Sequence, residues 1–342
     1  MGILETAIRA AETIELPDPI TRLGVDFLVG RTRRKLSHEP DQEAQFARDM
    51  VAHPIAEHTD LANEQHYELP PEFFALTLGP RRKYSSCLYT TGKETLEQAE
   101  IMALEETAIH AGLADGQTIL ELGCGWGSLT LFMAQRFPAS HIIAVSNSAP
   151  QRGYIEAQAK LAGLSNVKVI TADMNEFATN LQFDRVVSVE MFEHMANWQT
   201  LLARVRGWLK TDGRLFLHVF THRSQPYRFD RSDKTDWIAQ HFFTGGIMPS
   251  HGLAMQFPDS FSVDQQWRWN GRHYQRTAQD WLVNFDANQR AIDRILAEVY
   301  GPDARLWRRR WRLFYLATAG LFGHANGDEW GVSHYLLRPA LV

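Results

Sequence analysis

The chain has 342 residues, of which 44% are hydrophobic and 22% charged, and its formal net charge is −5. This composition is typical of a large globular protein with one or two domains and excludes a disordered or fibrous chain. The acidic balance argues against nucleic acid as a partner. Cys87 and Cys124 are too few for a disulfide framework or a cysteine-based zinc site, so we expect a cytoplasmic protein without a metal.

Residues 1–80 are predicted to form a helical N-terminal extension or cap. Apolar residues recur at helical spacing from Ile3 to Ile14, and the charges between them are unlike the core of a signal peptide. No apolar run approaches the length of a membrane span. The basic stretch from Arg22 to Lys35 predicts a solvated helical face, with weak contact to an anionic membrane surface as the alternative.

From about residue 117, short apolar runs alternate with amphipathic segments, which is the pattern of parallel strands joined by helices. The predicted strands are Thr118–Leu122, His141–Val145, Val167–Ile170, Asp184–Val189, Arg214–Phe220 and, at the end of the chain, Val332–Leu337. Residues 222–275 contain prolines, adjacent glycines and several aromatics, and we expect an insertion that covers one edge of the sheet. Helical spacing resumes at Thr277–Tyr300 and Asp303–Phe322. The predicted fold class is α/β.

The last predicted helix has two contrasting faces. Trp307 and Trp311 lie on one face, and Arg308, Arg309 and Arg312 lie on another. We expect an aromatic core stripe beneath a solvated basic face, with contact to lipid headgroups or a partner subunit as the alternative.

A glycine loop follows the first predicted strand. Gly123, Gly125 and Gly127 let the backbone turn sharply before a helix whose free N–H groups could face a ligand. Both dinucleotides and S-adenosylmethionine use such loops. The third glycine of the dinucleotide pattern is replaced by Ser128, and the second strand ends at Asn147 without an acid for the ribose. These two departures favour S-adenosylmethionine.

Asp173 stands at the end of the third predicted strand, in the sequence Thr-Ala-Asp-Met. A carboxylate at this edge of the sheet is placed to accept a hydrogen bond from an adenine amine. An ordinary turn or helix-capping aspartate is the alternative.

The fourth predicted strand ends in three ionisable residues, Glu190, Glu193 and His194. If the chain turns helical after Glu190, the three share one face. Such a cluster can act as a general base, whereas a solvated loop or helix start is the alternative. Methyl transfer to an amine would need this base, because an alkylamine with a pKa of about 10 is mostly protonated at neutral pH.

Several strings together resemble one family from about residue 60 to the end. It is the cyclopropane-fatty-acyl-phospholipid synthase-like branch of class I S-adenosylmethionine-dependent methyltransferases, and within it the coclaurine N-methyltransferase type of amine methyltransferase. The strings begin at His66, Lys83, Thr95, Glu121, Glu190, His241, Met248, His273 and Gly327. The resemblance implies a Rossmann-like seven-stranded methyltransferase domain over residues 81–342, in which residues 222–275 cover the substrate.

The resemblance also implies residues that hold the cofactor. Tyr84 and Ser85 would contact the aminoacyl end, Asn147 and Gln151 the ribose, and Asp173 with Met174 the adenine. The glycine loop would pack beneath the cofactor. The full predicted set is Tyr84, Ser85, Glu121, Gly123, Gly125, Gly127, Asn147, Gln151, Asp173 and Met174.

The substrate implied by the resemblance is a small aromatic or alkaloid-like amine, and the second product is S-adenosylhomocysteine. Glu193 and His194 would form the acid–base dyad that deprotonates the amine, with Glu190 in the same pocket. Seven of the ten tryptophans lie beyond residue 230, and we expect late aromatics to wall the substrate cavity because ring faces suit a cation. The predicted substrate-binding residues are His218, His241, Phe243, Trp330 and His334. A homodimer is also expected.

Two departures from the lipid-modifying members argue against cyclopropanation. Ser86 stands where those enzymes have a cysteine of their bicarbonate site, and Phe314 aligns with a tyrosine of that site, although His218 is retained. A lipid methyl or methylene transferase stays the first alternative. A cofactor-binding protein without catalysis and an oxidoreductase are the others.

Overall fold

The structure is a computed structural model that describes residues 2–57 and 69–340. The start of the string at His66 lies outside the described residues. The helices are α1 (Ile3–Thr13), α2 (Asp18–His38), α3 (Glu43–Asp49), α4 (Pro71–Thr77), α5 (Leu96–His110), α6 (Ser128–Arg136), α7 (Ala149–Leu161), α8 (Trp198–Trp208), α9 (Trp237–His241), α10 (Arg272–Ala287), α11 (Gln289–Tyr300) and α12 (Ala304–Gly323). Short 3₁₀ turns lie at Met50–Ala52, Phe192–His194, Leu253–Gln256, Gly301–Asp303 and His324–Gly327.

A seven-stranded sheet forms the centre of the molecule. Its strands are β1 (Thr118–Leu122), β2 (His141–Ser146), β3 (Val167–Thr171), β4 (Phe183–Val189), β5 (Leu209–His222), β8 (Phe261–Asn270) and β9 (Trp330–Pro339), while β6 (Tyr227–Arg228) and β7 (Ile247–Met248) pair separately. The order is β3-β2-β1-β4-β5-β9-β8, and β9 runs antiparallel to both of its neighbours. The predicted α/β class and Rossmann-like seven-stranded sheet are confirmed, and the six predicted strands are all present.

One strand of the sheet lies inside the segment that the sequence predicts as an insertion. Residues 261–270 form β8, which pairs with β9 at the edge of the sheet. The pairing register shifts between Val263 and Gln265. Such a shift breaks the alternation of inward and outward side chains from which a strand is recognised. Asp264, at the irregularity, pairs with Arg338 on the neighbouring β9 and with Arg214 on β5, one strand further on.

The N-terminal helices α1 and α2 dock on the last helix, α12. Arg312 donates to Asp18 at 2.6 Å and Arg310 donates to Glu12 at 2.9 Å. Glu12 also accepts from Trp237 at 2.9 Å. The solvated basic face predicted for this helix is therefore wrong, since the N-terminal acids cover much of it.

The aromatic stripe of α12 enters the core as predicted. Trp311 and Tyr315 are buried against α10, where Trp281 and Phe285 also point inward. In the part of the chain that the structure describes, no helix is long and apolar enough to cross a membrane.

Candidate active site

The glycine loop between β1 and α6 depends on residues that lack a side chain. Gly123, Gly125 and Gly127 have φ angles of 80°, 51° and 78°, a region that residues with a Cβ rarely adopt. A Cβ at Gly123 would lie 2.5 Å from the Met191 side chain, and one at Gly127 would lie 2.5 Å from Ile155. A Cβ at Gly125 would meet nothing within 4 Å. Two glycines therefore allow the loop to pack closely, and the third leaves its backbone open to a ligand.

A cavity lies beside this loop at the carboxyl ends of β1 to β4, where open α/β sheets bind their ligands. Nine of the ten predicted cofactor residues line it, and Gly127 does not. The nine are Tyr84, Ser85, Glu121, Gly123, Gly125, Asn147, Gln151, Asp173 and Met174. Their residue roles stay predictions, but the fold brings them to one place.

Gln151 presents a buried donor to this cavity. Its Oε1 accepts from Ser146 Oγ at 2.6 Å, whereas its Nε2 is buried without a hydrogen-bond partner among the described residues. An unpaired buried amide costs about 1–3 kcal/mol. A ligand that offers an acceptor oxygen would remove that cost, and the hydroxyls of a ribose are such acceptors. The residues present therefore fit S-adenosylmethionine.

Two acidic side chains lie at this edge of the sheet, Glu121 near the end of β1 and Asp173 just after β3. Burial raises the pKa of Glu121 to about 8, even though Thr130 donates a hydrogen bond to its Oε2 at 2.5 Å. A cationic ligand group beside it would favour the ionised form, and the amino group of S-adenosylmethionine is cationic. Asp173 accepts from the N–H of Asn175 at 2.7 Å. This carboxylate therefore also stabilises a turn, which is the alternative role considered for it from the sequence.

Hydrogen bonds of two buried ionisable side chains, Glu100 and Lys83, hold the segment that carries Tyr84 and Ser85. The Glu100 carboxylate accepts from the N–H of Lys83 at 3.1 Å. Lys83 Nζ donates to Ser85 Oγ at 2.5 Å and to the carbonyl of Ser86 at 2.7 Å. Burial lowers the pKa of Lys83. These contacts hold the segment against the cavity.

Glu190 stands at the end of β4 with a φ of 49°, in the left-handed region. Its Oε1 accepts from the N–H of Ser86 at 2.9 Å and lies 3.2 Å from His218 Nε2, and its Oε2 accepts from the Tyr274 hydroxyl at 2.7 Å. Burial raises the pKa of Glu190, and nearby Lys83 opposes the rise. Strained backbone and a fully engaged carboxylate in a cavity are typical of functional positions.

Glu193 and His194 belong to the 3₁₀ turn after Glu190 and point in different directions. His194 lines the cavity and stacks on Phe243, with ring centroids 4.4 Å apart. Glu193 is fully buried, and its Oε1 accepts from the N–H of Phe220 at 2.6 Å. Its Oε2 has no partner among the described residues. Burial and the neighbouring Glu190 raise the pKa of Glu193 well above its ordinary value. The shared helical face expected for the three residues does not form.

The predicted substrate residues lie in four places, and none of them lines the cavity. His218 and His334 are fully buried beside Glu190. Phe243 packs on His194, as described above. His241 pairs with Glu12 of α1 at 3.2 Å, and Trp330 is buried in the core with its Nε1 donating to Tyr227 at 3.3 Å.

Tyr274 and Lys83 are part of this site, yet no local pattern marks them as functional. Tyr274 is 84 residues from the Glu190 carboxylate that it binds, and Lys83 lies in an ordinary polar loop. The strings that carry the family resemblance include both residues. That resemblance was the only sequence signal from which their role could have been suspected.

The fold and the cavity at its glycine loop define a class I S-adenosylmethionine-dependent methyltransferase. Within that class, the family described as mycolic acid cyclopropane synthetase matches residues 56–328, and the chain belongs to this family.

Three relatives extend the comparison. The chain is 36% identical to (S)-coclaurine N-methyltransferase of Thalictrum flavum subsp. glaucum over 83% of its length and 80% of the relative. It is 30% identical to cyclopropane-fatty-acyl-phospholipid synthase of Escherichia coli (strain K12), over 80% of this chain and 67% of the relative. A crystal structure of coclaurine N-methyltransferase bound to N-methylheliamine and SAH superposes with a TM-score of 0.94, at 31% identity, covering 98% of this chain and all of that one.

Proposed function

We propose that this enzyme transfers the methyl group of S-adenosylmethionine to the nitrogen of a small aromatic or alkaloid-like amine. The observation that carries the proposal is the presence of two proton-binding groups, His194 and Glu190, in the lining of the cavity beside the glycine loop. The similarity to coclaurine N-methyltransferase supports the same substrate class. A cytoplasmic location, a homodimer and weak membrane-surface contact stay predictions of the sequence.

The site residues would prepare the amine for reaction. A basic amine reaches the cavity mostly protonated and cannot attack until it loses that proton. The Glu190 carboxylate attracts the cation, and the ring of Tyr84, which also lines the cavity, favours its approach. His194 then takes the proton, with Glu193 as the second member of the dyad. S-adenosylmethionine, when bound, supplies an electrophilic methyl group for in-line attack.

Lipid methyl or methylene transfer is the second candidate, favoured by the similarity to the E. coli cyclopropane-fatty-acyl-phospholipid synthase. Ser86 takes part in the Glu190 site through its backbone N–H. Phe314 packs instead on Phe242, with ring centroids 4.5 Å apart, in the aromatic core. The hydroxyl beside Glu190 comes from Tyr274, so the expectation that Phe314 replaces the tyrosine of this site is wrong and gives no argument against lipid modification.

The two candidates differ in the acceptor. The protein is incubated with S-adenosylmethionine and either a panel of benzylic and tetrahydroisoquinoline amines or vesicles of unsaturated phospholipid, and release of S-adenosylhomocysteine is measured. We expect release with one or more amines and none above background with vesicles. Release with vesicles alone would overturn the proposal in favour of lipid modification. Cofactor binding without release from any acceptor would leave a binding protein.

A further inference from the structure

Three buried histidines form a chain behind the active-site cavity. His218 on β5 lies directly opposite His334 on β9 in the antiparallel register, so the two side chains share one face of the sheet. His110, at the end of α5, packs against that face. None of the three rings lines the cavity. Among the described residues, no group of three or more histidine, cysteine, aspartate or glutamate side chains could hold a metal ion.

The chain is continuous from the active site to the surface. His218 Nε2 lies 3.2 Å from Glu190 Oε1, and His218 Nδ1 lies 2.8 Å from His334 Nε2. His334 Nδ1 lies 2.8 Å from His110 Nδ1, and His110 Nε2 lies 3.1 Å from Glu106 Oε1. The Glu106 side chain is 37% exposed. Three hydrogen bonds and one ion pair thus connect a buried carboxylate in the cavity with a carboxylate that meets solvent.

Tryptophan rings enclose this chain. Trp267 stacks on His110 with ring centroids 3.8 Å apart, and Trp269 packs on His334 at 4.4 Å. Burial lowers the pKa values of His218 and His334 well below their ordinary range, so both rings are neutral near neutral pH. A neutral imidazole has one donor and one acceptor nitrogen, so the three rings supply three of the four donors that the chain needs. One proton on either Glu190 or Glu106 supplies the fourth and sets the direction of all the links.

We propose that Glu190, His218, His334, His110 and Glu106 form a proton relay that carries the proton lost by the substrate from the closed cavity to solvent. The relay rests on the proposed function, in which a protonated amine becomes a methylated ammonium product and one proton is released for each methyl transferred. Glu190 lines the cavity together with His194, and in the relay its Oε1 receives that proton. The groups that face Glu190 besides the relay are Lys83, Tyr274 and Glu193.

Four transfers complete the step. Glu190 Oε1 gives its proton to His218 Nε2 while His218 Nδ1 releases one to His334 Nε2. His334 Nδ1 releases one to His110 Nδ1, and His110 Nε2 releases one to Glu106 Oε1. Each ring gains one proton and loses one, so no charge accumulates in the core. Glu106 gives the proton to water, and each ring must then turn about its Cβ–Cγ bond to bring its N–H back to the outward side before the next turnover.

The relay can be tested by comparing kcat with acceptor amines of different basicity. In Glu106→Gln and His110→Gln the outer end of the chain keeps hydrogen-bonding groups but cannot pass a proton. Glu105→Gln, on the same helix outside the chain, is the matched control. We expect both relay variants to lower kcat about tenfold or more with a strongly basic amine, and less than about twofold with a weakly basic aromatic amine that binds unprotonated. An equal loss with both amines, or no loss, would overturn the relay.

A second measurement needs no acceptor. Nitrogen-15 spectra of the histidine rings in wild-type protein with S-adenosylhomocysteine should show Nδ1 and Nε2 of His334 averaged between protonated and unprotonated states. Glu106→Gln should shift that average, whereas Glu105→Gln should not. If each ring nitrogen of His334 is in a single protonation state that Glu106→Gln does not change, the relay is overturned. If no amine is methylated, the proposed function fails, and these spectra decide the relay independently.

Discussion

Glu190, Glu193 and His194 follow one another within five residues but have three different environments. The left-handed backbone of Glu190 and the 3₁₀ turn after it send Glu190 and His194 to the cavity and Glu193 into the interior. Burial behind the cavity wall raises the pKa of Glu193 well above its ordinary value, because burial penalises the charged form. Burial therefore distinguishes the two glutamates more than sequence position does.

The dyad predicts a loss of rate without a loss of cofactor binding. Glu193→Gln keeps an oxygen for the Phe220 N–H but removes the carboxyl proton. Because Glu193 does not line the cavity, we expect kcat to fall about 100-fold or more while S-adenosylhomocysteine affinity stays within about twofold. Initial rates and calorimetric titration measure the two quantities, and Glu298→Gln on α11 is the control. Wild-type rates in Glu193→Gln would exclude the dyad.

At the scale of elements, α1 contacts the rest of the protein through one buried carboxylate, Glu12. Glu12 is bound by His241, Trp237 and Arg310, and it is 8% exposed. These donors hold its pKa at about 2 although burial alone would raise it. Glu15, one turn further along, pairs with Arg308 but is exposed. The two acids therefore differ in what they contribute to docking.

This difference predicts a pH-dependent stability. The lowered pKa means that the Glu12 contribution is complete above its ordinary pKa of 4.5 and is lost as pH falls toward 2. Glu12→Gln should lower the free energy of unfolding by about 2 kcal/mol at pH 7, and the difference from wild type should shrink between those pH values. Glu15→Gln should cost less than about 0.5 kcal/mol. Denaturant titrations at several pH values check both, and equal effects of the two variants would contradict the argument.

At the scale of the whole molecule, the sheet and the aromatic residues late in the chain have different roles around the cavity. The glycine loop and the strand ends of β1 to β4 surround the cavity, while Trp281, Trp311 and Trp330 are buried in the helical core. The late tryptophans support the site from behind instead of lining this cavity. A ligand in the cavity should therefore stabilise the native protein as a unit.

Thermal unfolding tests this coupling and the cofactor choice together. S-adenosylhomocysteine at about 100 times its Kd should add about 2.7 kcal/mol to the free energy of unfolding and raise Tm by a few degrees. NAD at the same concentration should leave Tm unchanged. The control is Gln151→Ala, which removes the orphaned donor and should reduce the shift. A larger shift with NAD would revive the oxidoreductase alternative.

The sequence by itself determined the sheet and the cofactor loop, because these depend on local signals. Apolar runs of strand length located β1 with both of its ends, and the glycine spacing marked a turn that only small residues allow. The strand β8 was not predicted, because its register shift at Asp264 interrupts the alternation of inward and outward side chains. The substrate residues inferred from the family resemblance were brought near the site only in part.

Only the tertiary structure decided how the chemistry-bearing side chains meet. Tyr274 reaches Glu190 from α10, and the histidine chain joins α5, β5 and β9, which are far apart in the sequence. No periodicity encodes such contacts, since each depends on the register of distant strands and on the packing of a helix across them. Burial, which sets the proton affinity of Glu193 and His334, is likewise a property of the folded molecule.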